Sequence, residues 1–236
     1  SLAWAAGYVD GNGSFFIRKP KYGYSGFHVC SPVEKTVNML GKIFGCGYKR
    51  SQKSVFSWCA DNEQAHHISK LLSPFLFTKK LQVNALLKLE SIPNTSYRMG
   101  GVPDWIRDRR AYIGLRFNKL KNLTRWKNFE PPELIRDTDF AWLAGFMDAD
   151  GHINRYFRND RYVYECVVSA KNVHLPTIQR IDFLTDYVGH VYNLRKYVSD
   201  SPNSRPKFEW KTNTQFCVSA LLKFYKFLQQ KRLAAV

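Results

Sequence analysis

The 236-residue sequence predicts an α+β protein made of two copies of one unit, and three observations predict it. First, Leu2-Ala-Trp-Ala-Ala-Gly-Tyr-Val-Asp-Gly-Asn-Gly-Ser14 recurs as Phe140-Ala-Trp-Leu-Ala-Gly-Phe-Met-Asp-Ala-Asp-Gly-His152, an offset of 138 (Trp4 to Trp142). Second, later matches keep their order. Gly45-Cys-Gly-Tyr48 pairs with Gly189-His-Val-Tyr192 at an offset of 144. Phe56-Ser-Trp58 pairs with Phe208-Glu-Trp210, and Phe75-Leu-Phe-Thr-Lys-Lys-Leu81 with Phe227-Leu-Gln-Gln-Lys-Arg-Leu233, both at 152. Ordered matches with a growing offset describe a diverged duplication whose second copy has longer loops. Third, helix and strand patterning runs in the same order through both copies. The chain divides into an N-terminal repeat (1–123), a linker (124–137) and a C-terminal repeat (138–236).

In the first copy, residues 2–10 read as a helix ended by Gly11 and Gly13. Strands at 14–19 and 27–31 flank a Tyr/Gly/Ser turn, and a helix follows near 33–44. A hairpin (47–51 and 54–60) and helices at about 62–73 and 79–91 complete it. The second copy reads as a helix at 138–148, strands at 152–158 and 162–170, and a helix near 173–187. Strands near 190–197 and 206–212 and a helix from about 214 finish the chain. The insertion 199–206 falls in the second hairpin loop, where added length costs little. Between the copies, Val102–Asn122 reads as a basic helix, and Asp104–Lys127 carries eight Lys/Arg against two Asp. Glu130-Pro-Pro-Glu133 marks the linker.

Hydrophobic residues at 44% and charged residues at 23% exclude a disordered chain. The longest apolar stretches, Leu2–Val9 and Phe140–Met147, are eight residues, well short of the ~20 a bilayer requires. No membrane partner is expected. The chain begins at Ser1 rather than Met, so it reads as trimmed, and a targeting peptide would not be visible. A net charge of +17 points to a polyanionic partner, and without a polybasic run beside an amphipathic anchor, nucleic acid leads. Five cysteines form no CxxC pair and no zinc spacing, and sit in apolar-rich segments. They read as buried free thiols of a protein from a reducing compartment, such as an organelle or a bacterial cytoplasm.

Small residues recur every four positions at Ala3, Gly7 and Gly11, and again at Ala141, Gly145 and Ala149. Such a ridge lets helix backbones approach closely. One stripe alone would most simply pack under a sheet. Two equivalent stripes favour the helices packing on each other, in a pseudo-twofold interface that also includes Asp10 and Asp148 and brings both carboxyl ends together. Asp148 and Asp150 lie where the helix macrodipole disfavours negative charge, so a nearby cation would explain them. Asp10 and Asp148 read as local caps on backbone N–H groups, and Asp150 as functional. A calcium loop is excluded, because the Gly at loop position 6 and the Glu at 12 are missing.

Ala5-Ala-Gly-Tyr-Val-Asp-Gly-Asn-Gly13 and Leu143-Ala-Gly-Phe-Met-Asp-Ala-Asp-Gly151 resemble the two signature helices of a single-chain LAGLIDADG homing endonuclease, and the resemblance covers nearly the whole chain. It implies two αββαββα domains packed through the signature helices, each with a saddle of antiparallel strands that lies in the DNA major groove. The implied reaction is Mg²⁺-dependent hydrolysis of one phosphodiester per strand across the minor groove, leaving 3′ overhangs. The cation would stabilise the phosphate and leaving oxygen and lower the pKa of water, with Ca²⁺ or Mn²⁺ as substitutes for binding. The metal-binding acid of the second motif falls on Asp150, with the Ala149 carbonyl, and Gly11 by the repeat, as further candidates. A basic residue beside each scissile phosphate falls on Lys79 and Lys231. The first copy departs from the pattern: Asn12 stands at the position of Asp150 and brings no negative charge to a metal. Impaired or strand-biased cleavage is therefore expected.

By alternation, Ser14, Phe16 and Arg18 share one strand face, as do His152, Asn154, Tyr156 and Arg158. Arg50 and Gln52 join them in the first copy, and Lys196, Lys207 and Lys211 in the second. Arginines suit guanine edges, Gln52 and Asn154 suit adenine, and lysines serve phosphates. The expected partner is double-stranded DNA with a long, asymmetric target, bound by a monomer without an obligate protein partner. Two alternatives stand beside this reading. One is an intron RNA maturase, with 102–127 as a candidate RNA surface. The other is a DNA-binding protein with an inactive nuclease site.

Overall fold

The computed structural model describes residues 1–18, 24–92, 103–121, 129–159, 162–194 and 207–232. The elements in chain order are α1 (Leu2–Asn12), β1 (Gly13–Arg18), β2 (Tyr24–Ser31), α2 (Glu34–Phe44), β3 (Tyr48–Gln52) and β4 (Val55–Asp61). Three helices follow, α3 (Glu63–Leu72), α4 (Lys80–Glu90) and α5 (Asp104–Lys121). The second half runs α6 (Asp137–Asp150), β5 (Gly151–Arg158), β6 (Val163–Asn172), α7 (Leu175–Leu184), β7 (His190–Asn193), β8 (Phe208–Lys211) and α8 (Thr214–Phe224). This is the α+β order expected twice over. Two compact units result: Leu2 with Asn12–Leu123, and Thr124–Val236 with Ser1 and Ala3–Gly11. Most of α1 therefore packs within the C-terminal unit, although its sequence belongs to the first repeat.

Each unit holds a four-stranded antiparallel sheet, ordered β1-β2-β4-β3 in the N-terminal unit and β5-β6-β8-β7 in the C-terminal one. One face of each sheet is apolar and covered by helices. In the N-terminal unit Phe15, Phe27, Val29 and Ala60 meet Val37, Leu40 and Phe44 of α2 and Ile68 of α3, all buried. In the C-terminal unit Val168, Ala170 and Trp210 meet Ile178 and Ile181 of α7 and Ala220 and Phe224 of α8. Fully burying a large apolar side chain contributes roughly 1.5–3 kcal/mol, so these layers hold each sheet in place. Among the described residues, no helix covers the other face.

The sheet registers correct one sequence match. Gly13, Val29, Trp58 and Lys49 form a row across the first sheet, and Gly151, Ala170, Trp210 and Val191 form the same row across the second. Gly47 therefore corresponds to Gly189, an offset of 142 rather than 144. The physical reason is the tryptophan: a Cβ on Gly47 would lie 2.6 Å from the Trp58 indole nitrogen, and one on Gly189 2.1 Å from that of Trp210. Local identity of Tyr48 and Tyr192 had drawn the match two residues too far.

A second correction concerns the thiols. Cys166 and Cys217 form a disulfide between β6 and α8, and Cys30, Cys46 and Cys59 are free and only half-buried. The expectation of five buried free thiols is thus replaced by one disulfide and three free thiols. Burial still raises the Cys46 and Cys59 pKa values above the usual thiol range, which keeps both as thiols rather than thiolates. Among the described residues, no helix is long and apolar enough to cross a membrane.

Candidate active site and nucleic-acid interface

α1 and α6 pack backbone to backbone. A Cβ at Gly7 would lie 1.9 Å from the Trp142 carbonyl oxygen and 2.9 Å from the Phe146 nitrogen. A Cβ at Gly145 would lie 1.9 Å from the Trp4 oxygen and 2.9 Å from the Tyr8 nitrogen. Ala3 and Ala141 are buried beside these contacts. The indoles then cross over. Trp4 Nε1 donates to Asp148 (2.9 Å), and Trp142 Nε1 donates to Asp10 (2.8 Å), all four side chains being buried. The tryptophans marked the repeat in the sequence, but their function as donors was not legible there. Each lies six residues before an Asp on its own helix yet bonds the Asp of the other.

Asp148 accepts three further bonds, from the backbone N–H groups of Gln229 (2.8 Å), Gln230 (3.1 Å) and Lys231 (2.7 Å). It is a backbone cap, but not the local one expected, because the N–H groups come from the turn after α8. Four donors on one carboxylate make Asp148 an organiser of the helix pair and of that turn. The turn in turn delivers Lys231, whose Nζ donates to the carbonyls of Met147 (2.7 Å), Asp148 (2.9 Å) and Gly151 (2.7 Å). Those bonds use all three ammonium protons. Lys231 thus closes the carboxyl end of α6, where a cation also suits the macrodipole. Burial lowers its pKa, and Asp148 and Asp150 oppose that shift. The turn's backbone N–H groups and its lysine thus act on a single helix end.

Asp150, the last residue of α6, has its carboxylate against the α-carbon of Gly11. A Cβ there would meet Ala149 Cβ at 2.6 Å and Asp150 Oδ2 at 3.5 Å. From Asp150 a groove of about 440 Å³ runs over the uncovered sheet face, lined by His152, Asn154, Tyr156, Lys171, Glu209 and Lys211 among others. A hollow of about 670 Å³ on the same face takes in Arg158, Glu165, His190 and Tyr192. The fold therefore gathers Asp150, His152, Asn154, Tyr156, Arg158 and Lys211 on one surface. Lys207 is exposed at the start of β8, and Lys196 lies outside the described residues.

In the N-terminal unit, Ser14, Phe16 and Arg18 share the uncovered face with Tyr48, Arg50 and Gln52. Phe16 lies flat over Gly26, where a Cβ would come within 2.3 Å of the ring, and the Arg18 guanidinium sits 4.7 Å from the Phe16 ring centre. Arg50 donates to the Tyr48 hydroxyl (2.9 Å), which donates to Asp61 (2.7 Å). Asn12 ends α1, and Lys79 immediately precedes α4.

These faces also carry acids beside their basic residues. Tyr156 donates to Glu165 (2.7 Å), Arg158 pairs with Glu165 (3.5 Å), and Lys171 pairs with Glu209 (3.5 Å). The carboxylate hydrogen bond raises the pKa of Tyr156, as Asp61 does for Tyr48. These acids hold donors in place at the cost of some positive charge. Strand alternation was the signal that could have found Glu209, which shares a strand face with Lys207 and Lys211, while Glu165 sits across the pair from Tyr156.

Among the described residues, no three His, Cys, Asp or Glu side chains cluster tightly enough to cage a metal. One carboxylate beside helix-end carbonyls suits a hard cation that keeps several waters and takes its remaining oxygens from substrate phosphates, as Mg²⁺ does. Lys231 uses the carbonyls of Met147, Asp148 and Gly151, and not that of Ala149, the expected carbonyl ligand. The residues fit such an ion.

The fold is that of the LAGLIDADG homing endonucleases. Among solved structures, the LAGLIDADG meganuclease I-AabMI bound to uncleaved DNA superposes with a TM-score of 0.67 at 14% identity, covering 100% of this chain and 88% of its own. I-SmaMI bound to uncleaved DNA target in the presence of calcium ions gives 0.64 at 18%, covering 98% and 86%. In sequence, the chain is 25% identical over 214 residues to the intron-encoded RNA maturase bI4 of Saccharomyces cerevisiae. That match covers 90% of this chain but only 27% of the maturase. No family model matches the chain.

Proposed function

We propose that the chain is a site-specific double-stranded DNA endonuclease, using Mg²⁺ to hydrolyse phosphodiesters across the minor groove and leave 3′ overhangs. One observation carries the reading: an acid, Asp150, stands at a helix carboxyl end and opens onto a groove lined by His152, Asn154, Tyr156 and Lys211, side chains whose chemistry suits DNA. When bound there, the cation would stabilise the charge that develops on phosphate and leaving oxygen. The chain's own residues do the rest. Asp150 and the Ala149 carbonyl would hold the ion, since Lys231 takes the carbonyls of Met147, Asp148 and Gly151. Lys231 and Asp148 keep that helix end in shape. Asn154 suits an adenine edge and Arg158 a guanine edge, while Lys207 and Lys211 take phosphates. The two sheet faces carry different residues at matching positions, such as Ser14 against His152 and Phe16 against Asn154, which suits a long, asymmetric target. Asn12 supplies no charge to the second strand's site, so cleavage is impaired or biased to one strand.

A second reading rests on the 25% identical maturase relative, together with Asn12: an RNA maturase on this fold, for which strand cutting is dispensable. A supercoiled plasmid carrying the joined flanks of the element that encodes the chain separates the readings. The chain, Asn12→Asp and Asp150→Asn are each incubated with it in Mg²⁺. Nicked circle from the chain and linear product from Asn12→Asp are expected, with Asp150→Asn inert. Absence of cutting by both the chain and Asn12→Asp, with tight binding of the element's RNA, would sink the endonuclease reading in favour of the maturase.

A further inference from the structure

α5 has no part in the chemistry above, and its two sides are unlike. Its inner side packs on α4 through Ile106, Arg110 and Phe117, all buried. Arg110 donates through Nη1 to the Ile92 carbonyl (2.9 Å), and burial lowers its pKa, so this cation is spent on holding the helix down. On the outer side Trp105 is 60% exposed and Tyr112 63%. Seven residues separate them, which places one ring above the other at roughly 10 Å along the axis. At about 100° per residue, Arg109, Arg116 and Lys119 fall within roughly 40° of Trp105, and all three are exposed. Leu115, 63% exposed, flanks the row, and Asp108 is the acid beside it. Arg107 points elsewhere and pairs with Asp104.

We propose that the outer face of α5 binds unpaired RNA bases, stacked on Trp105 and Tyr112, with Arg109, Arg116 and Lys119 on the adjoining phosphates. The face alternates flat rings and cations, and a polynucleotide alternates flat bases and anions. Duplex DNA hides its base faces and offers the two rings nothing to stack on. Folded RNA presents splayed bases persistently in loops and bulges, and aromatic rings and arginine planes receive them. A protein partner would also suit the rings, but it would leave three neighbouring cations without a stated counterpart. The proposal deepens the maturase reading by naming a surface, and it does not depend on whether either DNA strand is cut.

The test uses the full chain, Trp105→Ala/Tyr112→Ala, Trp105→Phe/Tyr112→Phe and Arg109→Gln/Arg116→Gln. Fluorescence anisotropy follows an unstructured single-stranded RNA, the DNA strand of the same sequence, and a random duplex DNA. Removing both rings should weaken RNA binding by at least about tenfold, because each stacked base contributes on the order of 1–3 kcal/mol. Duplex affinity should stay within about twofold, and the phenylalanine pair should restore RNA binding through its rings. The arginine variant should lower the log–log salt slope for RNA by roughly 1.4, two phosphates' worth for a single strand. All positions are exposed, so thermal melts should be unchanged. RNA affinity untouched by the ring variant, displacement of RNA by equimolar duplex, or a DNA strand bound equally well with and without the two rings would each overturn the proposal. Plasmid cleavage by the ring variant, assayed alongside, keeps this outcome separate from that of the nuclease reading.

Discussion

The two signature helices are alike where they touch and unlike where they end. A Cβ placed on Gly7 would meet the backbone of α6 at the same separations, 1.9 and 2.9 Å, at which one placed on Gly145 would meet that of α1. Each helix lends an indole to the other's aspartate, at 2.9 and 2.8 Å. Yet α6 finishes on Asp150 and α1 on Asn12. The contrast separates two functions within one motif. Residues between the backbones are held by geometry, because any added atom collides. The terminal residue faces outward, and packing does not dictate its charge. A change there alters the chemistry without disturbing the helix pair.

Five substitutions sharpen or break this contrast, in decreasing order of effect. Gly7→Ala and Gly145→Ala should each destabilise the protein by several kcal/mol, since a methyl group 1.9 Å from a carbonyl oxygen forces the backbones apart. Urea unfolding should give the two nearly equal losses, and a large inequality would break the symmetry of the packing. Lys231→Met keeps the aliphatic stem but strips the donor from three helix-end carbonyls, at a cost of about 1–3 kcal/mol. Lys79, at the matching offset, should cost as much when changed to Met if the repeat extends to this function. Asn12→Asp should have the smallest effect on stability. An added negative charge at a helix carboxyl end costs about 0.3–1 kcal/mol, so its melting temperature should fall slightly. A large loss would show that Asn12 is a packing residue after all.

Much of this architecture was legible because its signals are local. Element order followed from alternation, from 3.6-residue periodicity and from the glycines at the end of α1, although that helix runs through Gly11 to Asn12 and stops only at Gly13. The faces of β1 and β5 followed from period-two patterning, which needs no knowledge of neighbours. What escaped the sequence was long-range pairing. Trp4 finds its acceptor 144 residues away, and the N–H groups that cap Asp148 come from 81 to 83 residues downstream. Cys166 finds Cys217 across 51 residues, where apolar surroundings had indicated free thiols. The placing of Gly189 opposite Trp210 turned on hairpin register, which one matched tyrosine was too short a signal to set.

The sequence by itself determined that the chain is a duplication, that two small-residue helices carry the repeated motif, and that one of them has Asn12 where the other has Asp150. These are properties of residue identity and spacing, which survive in one dimension. Only the tertiary structure decided which atoms those residues serve. Asp148 organises a turn, Lys231 spends its protons on helix-end carbonyls, and Glu165 and Glu209 restrain the cations of the outer face. The physical reason is that hydrogen bonds and ion pairs are short-ranged. Their partners are chosen by which segments the folded core brings within about 3 Å, and that choice is not written in the local sequence.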